Sequence, residues 1–253
     1  MNINEQLVLV TGGARGLGHS IVQAIAREGA HVVINYHKSQ EAAAELAQSL
    51  GPKALAVKAD ITDETQVKAL FEQAQRHFGR PINSVVNNAL ADFAFNGDAR
   101  KKLLDMPWED LNQQLEGAVK GALNTMREAL PAMAEQHFGR IINIGTNLFQ
   151  NPVVPYHDYT AAKAALLALT RTAAHELGPD GVTVNMISGG LLRTTDASAA
   201  TPEFVFDLIA DQTPLRTVTT PAEFADSVLF FLSPWSRAVT GQNLIVDGGL
   251  VKN

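Results

Sequence analysis

The 253-residue sequence predicts an α/β fold: a single domain built on a doubly wound parallel sheet of about seven strands, with helices on both faces. Two observations lead there. Short β-branched runs alternate with longer stretches of helical period, and five times a glycine stands between a helical stretch and the next strand. Val8-Leu9-Val10 reads as the first strand and Gly16 to Glu28 as the first helix, ended by Gly29. His31 to Asn35 is the second strand. Gly51-Pro52 precedes a third at Ala54 to Val57, and Gly79 a fourth at Ile82 to Val86. Gly139 precedes a fifth at Ile141 to Ile144, and Gly178-Pro179 a sixth at Val182 to Met186. Glycine just past a helix supplies the left-handed residue that closes it, and proline prevents continuation. Parallel strands need right-handed crossovers, which helices fill. Thr220-Pro221-Ala222-Glu223 is a capping box with proline at the first helical position, opening a helix to about Leu232. Asn243 to Val246 is the last strand. With no Ser/Gly-rich linker or charge block to divide it, the chain is expected to be one domain over residues 1–253. Ala91 to Pro107 and Leu191 to Pro214 are longer than ordinary connections and are candidate functional segments.

Composition narrows the function. Charged residues make up 18% of the chain and hydrophobic ones 46%, which excludes disorder and implies a large core. The absence of cysteine excludes a disulfide framework, a thiolate metal site and a cysteine nucleophile. No metal site is expected: His175-Glu176 opens like a zinc-protease motif, but Pro179 stands where the second histidine would be. A net charge of −6 argues against nucleic acid as a partner. The N-terminus lacks the positive region of a signal peptide, and apolar runs such as Val228 to Leu232 fall far short of the ~20 residues of a membrane span. A soluble, cytoplasmic protein is expected.

Directly after the first strand comes Thr11-Gly12-Gly13-Ala14-Arg15-Gly16-Leu17-Gly18, with the helix beginning inside it. Glycines here let the backbone approach a pyrophosphate, held by the N–H groups and dipole of the helix N-terminus. A strand before and a helix after make this a Rossmann-type dinucleotide loop, with Gly12, Arg15, Gly16, Leu17 and Gly18 as cofactor contacts. An acid ending the second strand would bind a ribose 2′-hydroxyl and repel a 2′-phosphate. Here the strand runs out through Asn35-Tyr36-His37-Lys38 with no acid, and Arg15 lies in the loop, which favours NADP(H). The alternative is that Arg15 and Lys38 are ordinary solvated charges.

Tyr159 and Lys163 open the helix that runs to Leu177 and, at i and i+4, share one of its faces. A phenol has a pKa of ~10, and a nearby ammonium lowers it, which suits a proton donor to a developing alkoxide. Upstream, the fifth strand ends in Gly145-Thr146-Asn147, offering a hydroxyl and an amide at a carboxyl end, where ligands of doubly wound sheets sit.

These residues resemble the short-chain dehydrogenase/reductase family over nearly the whole chain. Thr11 to Gly18 is its TGxxxGxG loop, Asn87-Asn88-Ala89-Leu90 is similar to its NNAG element, and Tyr159 and Lys163 form its YxxxK pair. Thr146 stands where the family usually has serine, and Val246-Asp247-Gly248-Gly249 looks like its closing strand. The resemblance implies hydride transfer between a nicotinamide and a small-molecule carbonyl or carbinol carbon. Tyr159 would be the acid in reduction, Lys163 would lower its pKa and hold the nicotinamide ribose, and Thr146 would bind the substrate oxygen. Asp60 and Ile61 match positions that flank adenine, and Asn88 and Thr194 match other cofactor contacts. It also implies a homotetramer and a general likeness to 3-oxoacyl thioester reductases.

Four positions depart from the family pattern. Thr146 keeps a hydroxyl but adds a methyl, Leu90 replaces the last glycine of NNAG, and Ser188-Gly189-Gly190 replaces Ser-Pro-Gly. Ala118 falls where the central helix normally carries an asparagine that positions a relay water. Either the backbone and a neighbour such as Asn147 hold that water, or the relay is weakened. His157 is a substrate contact or a plain loop histidine. Leu148, Phe149, Pro152, Val153, Val154 and Tyr156 are local core or a hydrophobic substrate wall. Ala197 to Asp211 has an amphipathic pattern suited to a lid, and Leu166, Leu167 and Leu169 are core or a subunit seam. The expected activity is NADP(H)-dependent reduction of a ketone to a secondary alcohol. The alternatives are an NAD(H)-dependent alcohol dehydrogenase of the same family, or a weakly active dinucleotide-binding regulatory protein.

Overall fold

The structure, a computed structural model, describes residues 1–90, 100–195 and 198–252. Seven strands form one wholly parallel sheet: β1 (Leu7–Val10), β2 (His31–Tyr36), β3 (Ala54–Lys58), β4 (Ser84–Asn87), β5 (Gly139–Thr146), β6 (Val182–Gly189) and β7 (Asn243–Val246). Their order is β3-β2-β1-β4-β5-β6-β7, so the winding reverses between β1 and β4. Connections diverge at that switch point and leave a crevice at the carboxyl ends of the strands.

Helices cover both faces. On one, α1 (Gly16–Arg27), α2 (Gln40–Leu50) and α8 (Pro221–Leu232) bury Ile21, Ile25, Leu46, Phe224 and Val228 against Val8, Val10 and Ile34. On the other, α3 (Glu64–Phe78), α5 (Gly121–Gln136) and α6 (His157–Leu177) bury Leu70, Met126, Met133 and Leu166 against Leu7, Leu9 and Ile141. Successive strand residues point to opposite faces, so a sheet covered on both sides needs the unbroken apolar runs the sequence shows.

Most element positions match the sequence reading, and the differences have physical causes. β5 and β6 run further than expected, because each is paired on both sides and the register continues through Gly145↔Ser188 and Thr146↔Gly189. Gly29, Gly51 and Gly79 take positive φ next to helix ends, as expected. Gly139 and Gly178 do not close helices. His137 supplies the left-handed residue after α5 at φ 46°, and Gly139 lies inside β5, where an added Cβ would stand 2.6 Å from the Met133 sulfur. Gly178 is right-handed at φ −53°, and the positive φ falls on Gly181 after a short 3-10 turn. The capping box of α8 is present: Glu223 N donates to Thr220 Oγ1 (3.3 Å) and Thr220 N to Glu223 Oε2 (2.8 Å).

Of the two long irregular segments, residues 91–99 and 196–197 lie outside the described residues. The first segment leads into α4 (Trp108–Leu115), a π-helical stretch at Glu116–Lys120 and then α5. Ala118 sits in the π stretch, a feature often found at functional sites. The second contains α7 (Glu203–Gln212), so the amphipathic pattern placed at Ala197 to Asp211 is a helix beginning at Glu203. Among the described residues, no helix is long and apolar enough to cross a membrane.

Candidate active site

A cavity of about 1360 Å³ opens along the carboxyl ends of β1 to β6, larger than the ~300–1,000 Å³ of a typical small-ligand pocket. It begins at the glycine loop. Gly12 and Gly16 hold φ of +60° and +52°, and a Cβ on Gly18 would lie 2.2 Å from the Gly12 carbonyl. Only glycine lets α1 start this close to β1. Arg15, the residue before α1, makes no side-chain cap, and Gly16, Leu17 and Gly18 of the first turn line the cavity, an arrangement that suits a phosphate.

Two asparagines, Asn35 near the end of β2 and Asn88 of the NNAG-like element, hold this loop from either side. Asn35 Oδ1 accepts from Gly12 N (3.2 Å) while its amide donates to the Ala59 carbonyl (3.0 Å). Asn88 Nδ2 donates to the Thr11 carbonyl (2.9 Å), and the Thr11 hydroxyl accepts from Asn88 N (2.9 Å) and Ala89 N (3.0 Å). Both side chains reach the cavity lining, but their amides are committed to backbone.

Gly12, Arg15, Gly16, Leu17, Gly18, Tyr36, His37, Lys38, Asp60 and Ile61 all line the cavity. Asp60 Oδ1 accepts from the Thr62 backbone N (2.9 Å) and hydroxyl (2.8 Å). Burial opposes its ionisation, yet these bonds and the nearby His37 hold its carboxyl below the usual carboxylate range. Asn124 donates to the Ile61 carbonyl (2.9 Å), and Gly121 clears space for the Ile61 side chain, which an added Cβ would meet at 2.5 Å. Sequence patterning missed both supports, because they come from a helix far along the chain.

At the other end the cavity meets Thr146, Tyr159 and Lys163, all buried, from the last residue of β5 and the first two turns of α6. The Thr146 and Tyr159 side chains are hydrogen-bonded. Lys163 Nζ donates to the Ile144 carbonyl (2.7 Å) and lies 5.8 Å from the centre of the Tyr159 ring. The expected lowering of the phenol pKa by Lys163 is not what this arrangement gives. Burial pushes Tyr159 up to about 12, with the Thr146 bond pulling the other way, and burial pushes Lys163 down to about 8. The cause is desolvation, which disfavours the phenolate and the ammonium alike.

Thr194 is exposed and outside the lining; its neighbour Thr195 faces the cavity opposite Gly16. Further residues complete the lining, of which the sequence reading missed Phe224, Gln113, Glu116 and Gly117. Asn147 donates to the Asp247 carboxylate (2.8 Å), closing the floor between β5 and the end of β7. Phe224 of α8 reaches the wall beneath Gly189, where an added Cβ would stand 2.8 Å from its ring. Gln113, Glu116 and Gly117 also line the cavity, whereas Ala118 does not. The apolar stretch before α6 divides: Leu148, Val153, Val154 and Tyr156 face the cavity, and Phe149 packs into the core. His157 begins α6 away from the lining. Leu166 is core, with Leu167 and Leu169 packed against it. Phe204, Val205, Leu208 and Ile209 of α7 complete an apolar mouth, tied down by an Arg193–Glu203 ion pair. Among the described residues, no three or more His, Asp or Glu are grouped to hold a metal.

Comparison with known proteins agrees with this geometry. A family profile described as "Enoyl-(Acyl carrier protein) reductase" matches residues 12–251. The chain is 31% identical over 249 residues to "3-oxoacyl-[acyl-carrier-protein] reductase FabG" of Staphylococcus aureus, covering 96% of each. It is 33% identical over 259 residues to "Short-chain type dehydrogenase/reductase" of Picea abies, covering 98% of this chain and 93% of the relative. To "NADPH-dependent aldehyde reductase 2, chloroplastic" of Arabidopsis thaliana it is 30% identical over 257 residues, covering 96% and 93%. The glycine loop, the reversed winding and the buried tyrosine and lysine thus have one explanation: the chain is an oxidoreductase fold belonging to the short-chain dehydrogenase/reductase family.

Proposed function

We propose that residues 1–253 act as one domain that reduces a ketone, a 3-oxoacyl thioester or a related carbonyl compound, to a secondary alcohol with NADP(H). One observation carries the reading: Thr146, Tyr159 and Lys163 meet in the same cavity as the glycine loop. The donor set fits a nicotinamide dinucleotide. The N–H groups at the start of α1 would hold the diphosphate, Asp60 and Ile61 would flank adenine, and Arg15, Tyr36, His37 and Lys38, which line the same cavity, would surround a 2′-phosphate. When bound, the nicotinamide supplies a hydride to the carbonyl carbon. Thr146 and Tyr159 would hydrogen-bond the carbonyl oxygen, and Tyr159 would pass it the phenol proton as negative charge develops there. Lys163 would stabilise the phenolate left behind and bind the nicotinamide ribose.

The relatives named as 3-oxoacyl and NADPH-dependent aldehyde reductases support both the carbonyl chemistry and the cofactor, as does the lack of an acid at the end of β2. A cytoplasmic homotetramer is proposed on the family resemblance alone. Ala118 favours a second reading, a dinucleotide-binding protein with weak turnover. A panel of ketones that includes 3-oxoacyl thioesters, run with NADPH and NADH, decides between them. Turnover that prefers NADPH and is lost in Tyr159→Phe, with NADPH still bound, supports the enzyme. Equal kcat/KM with both cofactors would remove the role given to Arg15 and His37, and no reduction of any ketone would leave the binding protein.

A further inference from the structure

We propose that Arg100 and Asp158 form a charge-balanced clamp that positions the first turn of α6 and sets how tightly the Tyr159 phenol holds its proton. The inference rests on the reading of Tyr159 as proton donor. Asp158 is the second residue of α6 and directly precedes Tyr159. Its side chain is only 8% exposed, and that of Arg100 19%. Arg100 Nη2 donates to both carboxylate oxygens, to Oδ2 at 2.5 Å. The guanidinium carbon also stands 5.4 Å from the centre of the Tyr156 ring. Tyr156 and Tyr159 pack together with Leu148 and Val154, so the clamp grips the cluster that seats the phenol.

Stability alone does not explain such a pair, because the cost of burying two charges roughly cancels their attraction. Its particular effect is electrical. The phenol must be neutral before proton transfer and negative after it, and an uncompensated buried charge nearby would favour one of those states. Without Arg100, the Asp158 carboxylate would oppose the phenolate and raise its pKa. Without Asp158, the Arg100 cation would lower it. The other charged or titratable groups around the phenol remain in place throughout. They are Lys163 on α6, whose ammonium lies 5.8 Å from the centre of the phenol ring, and Glu116 and Asp247, which line the same cavity.

The test compares wild type with Arg100→Met, Asp158→Asn and the double variant, by the pH dependence of kcat/KM for ketone reduction. In reduction the alkaline limb reports the Tyr159–Lys163 pair, both members of which a nearby charge moves in the same direction, and carbon-13 titration of Tyr159 gives the phenol's own share. The limb is expected to move up by about half to one pH unit in Arg100→Met and down by a similar amount in Asp158→Asn. In the double variant it should return close to wild type. Arg100→Lys, which keeps the charge, should keep the limb while lowering kcat several-fold. With Arg100→Met, it carries the test alone should Asp158→Asn not fold. An identical limb in every variant, with only a lower melting temperature, would overturn the proposal. If wild type reduces no ketone, the reading of Tyr159 is what fails. Titration of the three tyrosines by carbon-13 resonance at Cζ, with Tyr159→Phe for assignment, then decides the clamp by the same directions of shift.

Discussion

Lys163 is a charge the fold holds at a cost. Its pKa of about 8 in the folded protein lies below the ordinary 10.5, so burial penalises the ammonium form. The penalty is full below pH 8 and lifts as pH rises from about 8 to 10.5. Lys163→Met is therefore expected to raise stability at pH 7 by about 1–3 kcal/mol while weakening cofactor binding and turnover. Thermal unfolding at pH 7 and near pH 10 checks this: the gap between variant and wild type should shrink at the higher pH. A gap that stays constant would mean the stabilisation has another source. The residue types at this site were legible in the sequence, since Tyr159, Lys163 and Thr146 stand at family positions. The direction of the tyrosine shift was not, because spacing shows which groups share a face and burial decides which charge survives there.

At the scale of elements, the strand-loop-helix unit from Leu7 to Arg27 depends on missing side chains. Gly18→Ala would drive a Cβ onto the Gly12 carbonyl and to within 2.6 Å of the Asn88 amide. It is expected to abolish NADPH binding, read by fluorescence titration, and to lower the melting temperature. Retained affinity would show that the loop relaxes around the methyl. Glycine placement made this unit readable from sequence. The same logic failed at Gly139 and Gly178, where one glycine clears a path for Met133 and the other sits in a right-handed turn. Thr195 escaped for a related reason: in a segment without helical or strand period, nothing marks which of two adjacent threonines faces inward.

Across the whole molecule, a buried polar chain joins elements from both halves. Thr125 of α5 donates to Asn87 of β4 (2.6 Å), Asn87 to Asn143 of β5 (2.9 Å), and Asn143 to Thr170 of α6 (2.8 Å). Asn143→Leu would strand the Asn87 amide in the core, so a loss of about 2–4 kcal/mol in denaturant unfolding is expected, with an unchanged m-value. A loss under about 0.5 kcal/mol would mean that water or a shifted partner repairs the break. This chain was invisible in the sequence, because no local pattern reveals which polar residues on separate elements meet. The bond between Asn147 and Asp247 spans 100 residues and has a consequence in time. Contacts so distant close late, after the entropy of the intervening loop has been overcome. The glycine loop and its two asparagine braces all lie before position 90, so a folding chain would complete that loop before it closes the floor between Asn147 and Asp247.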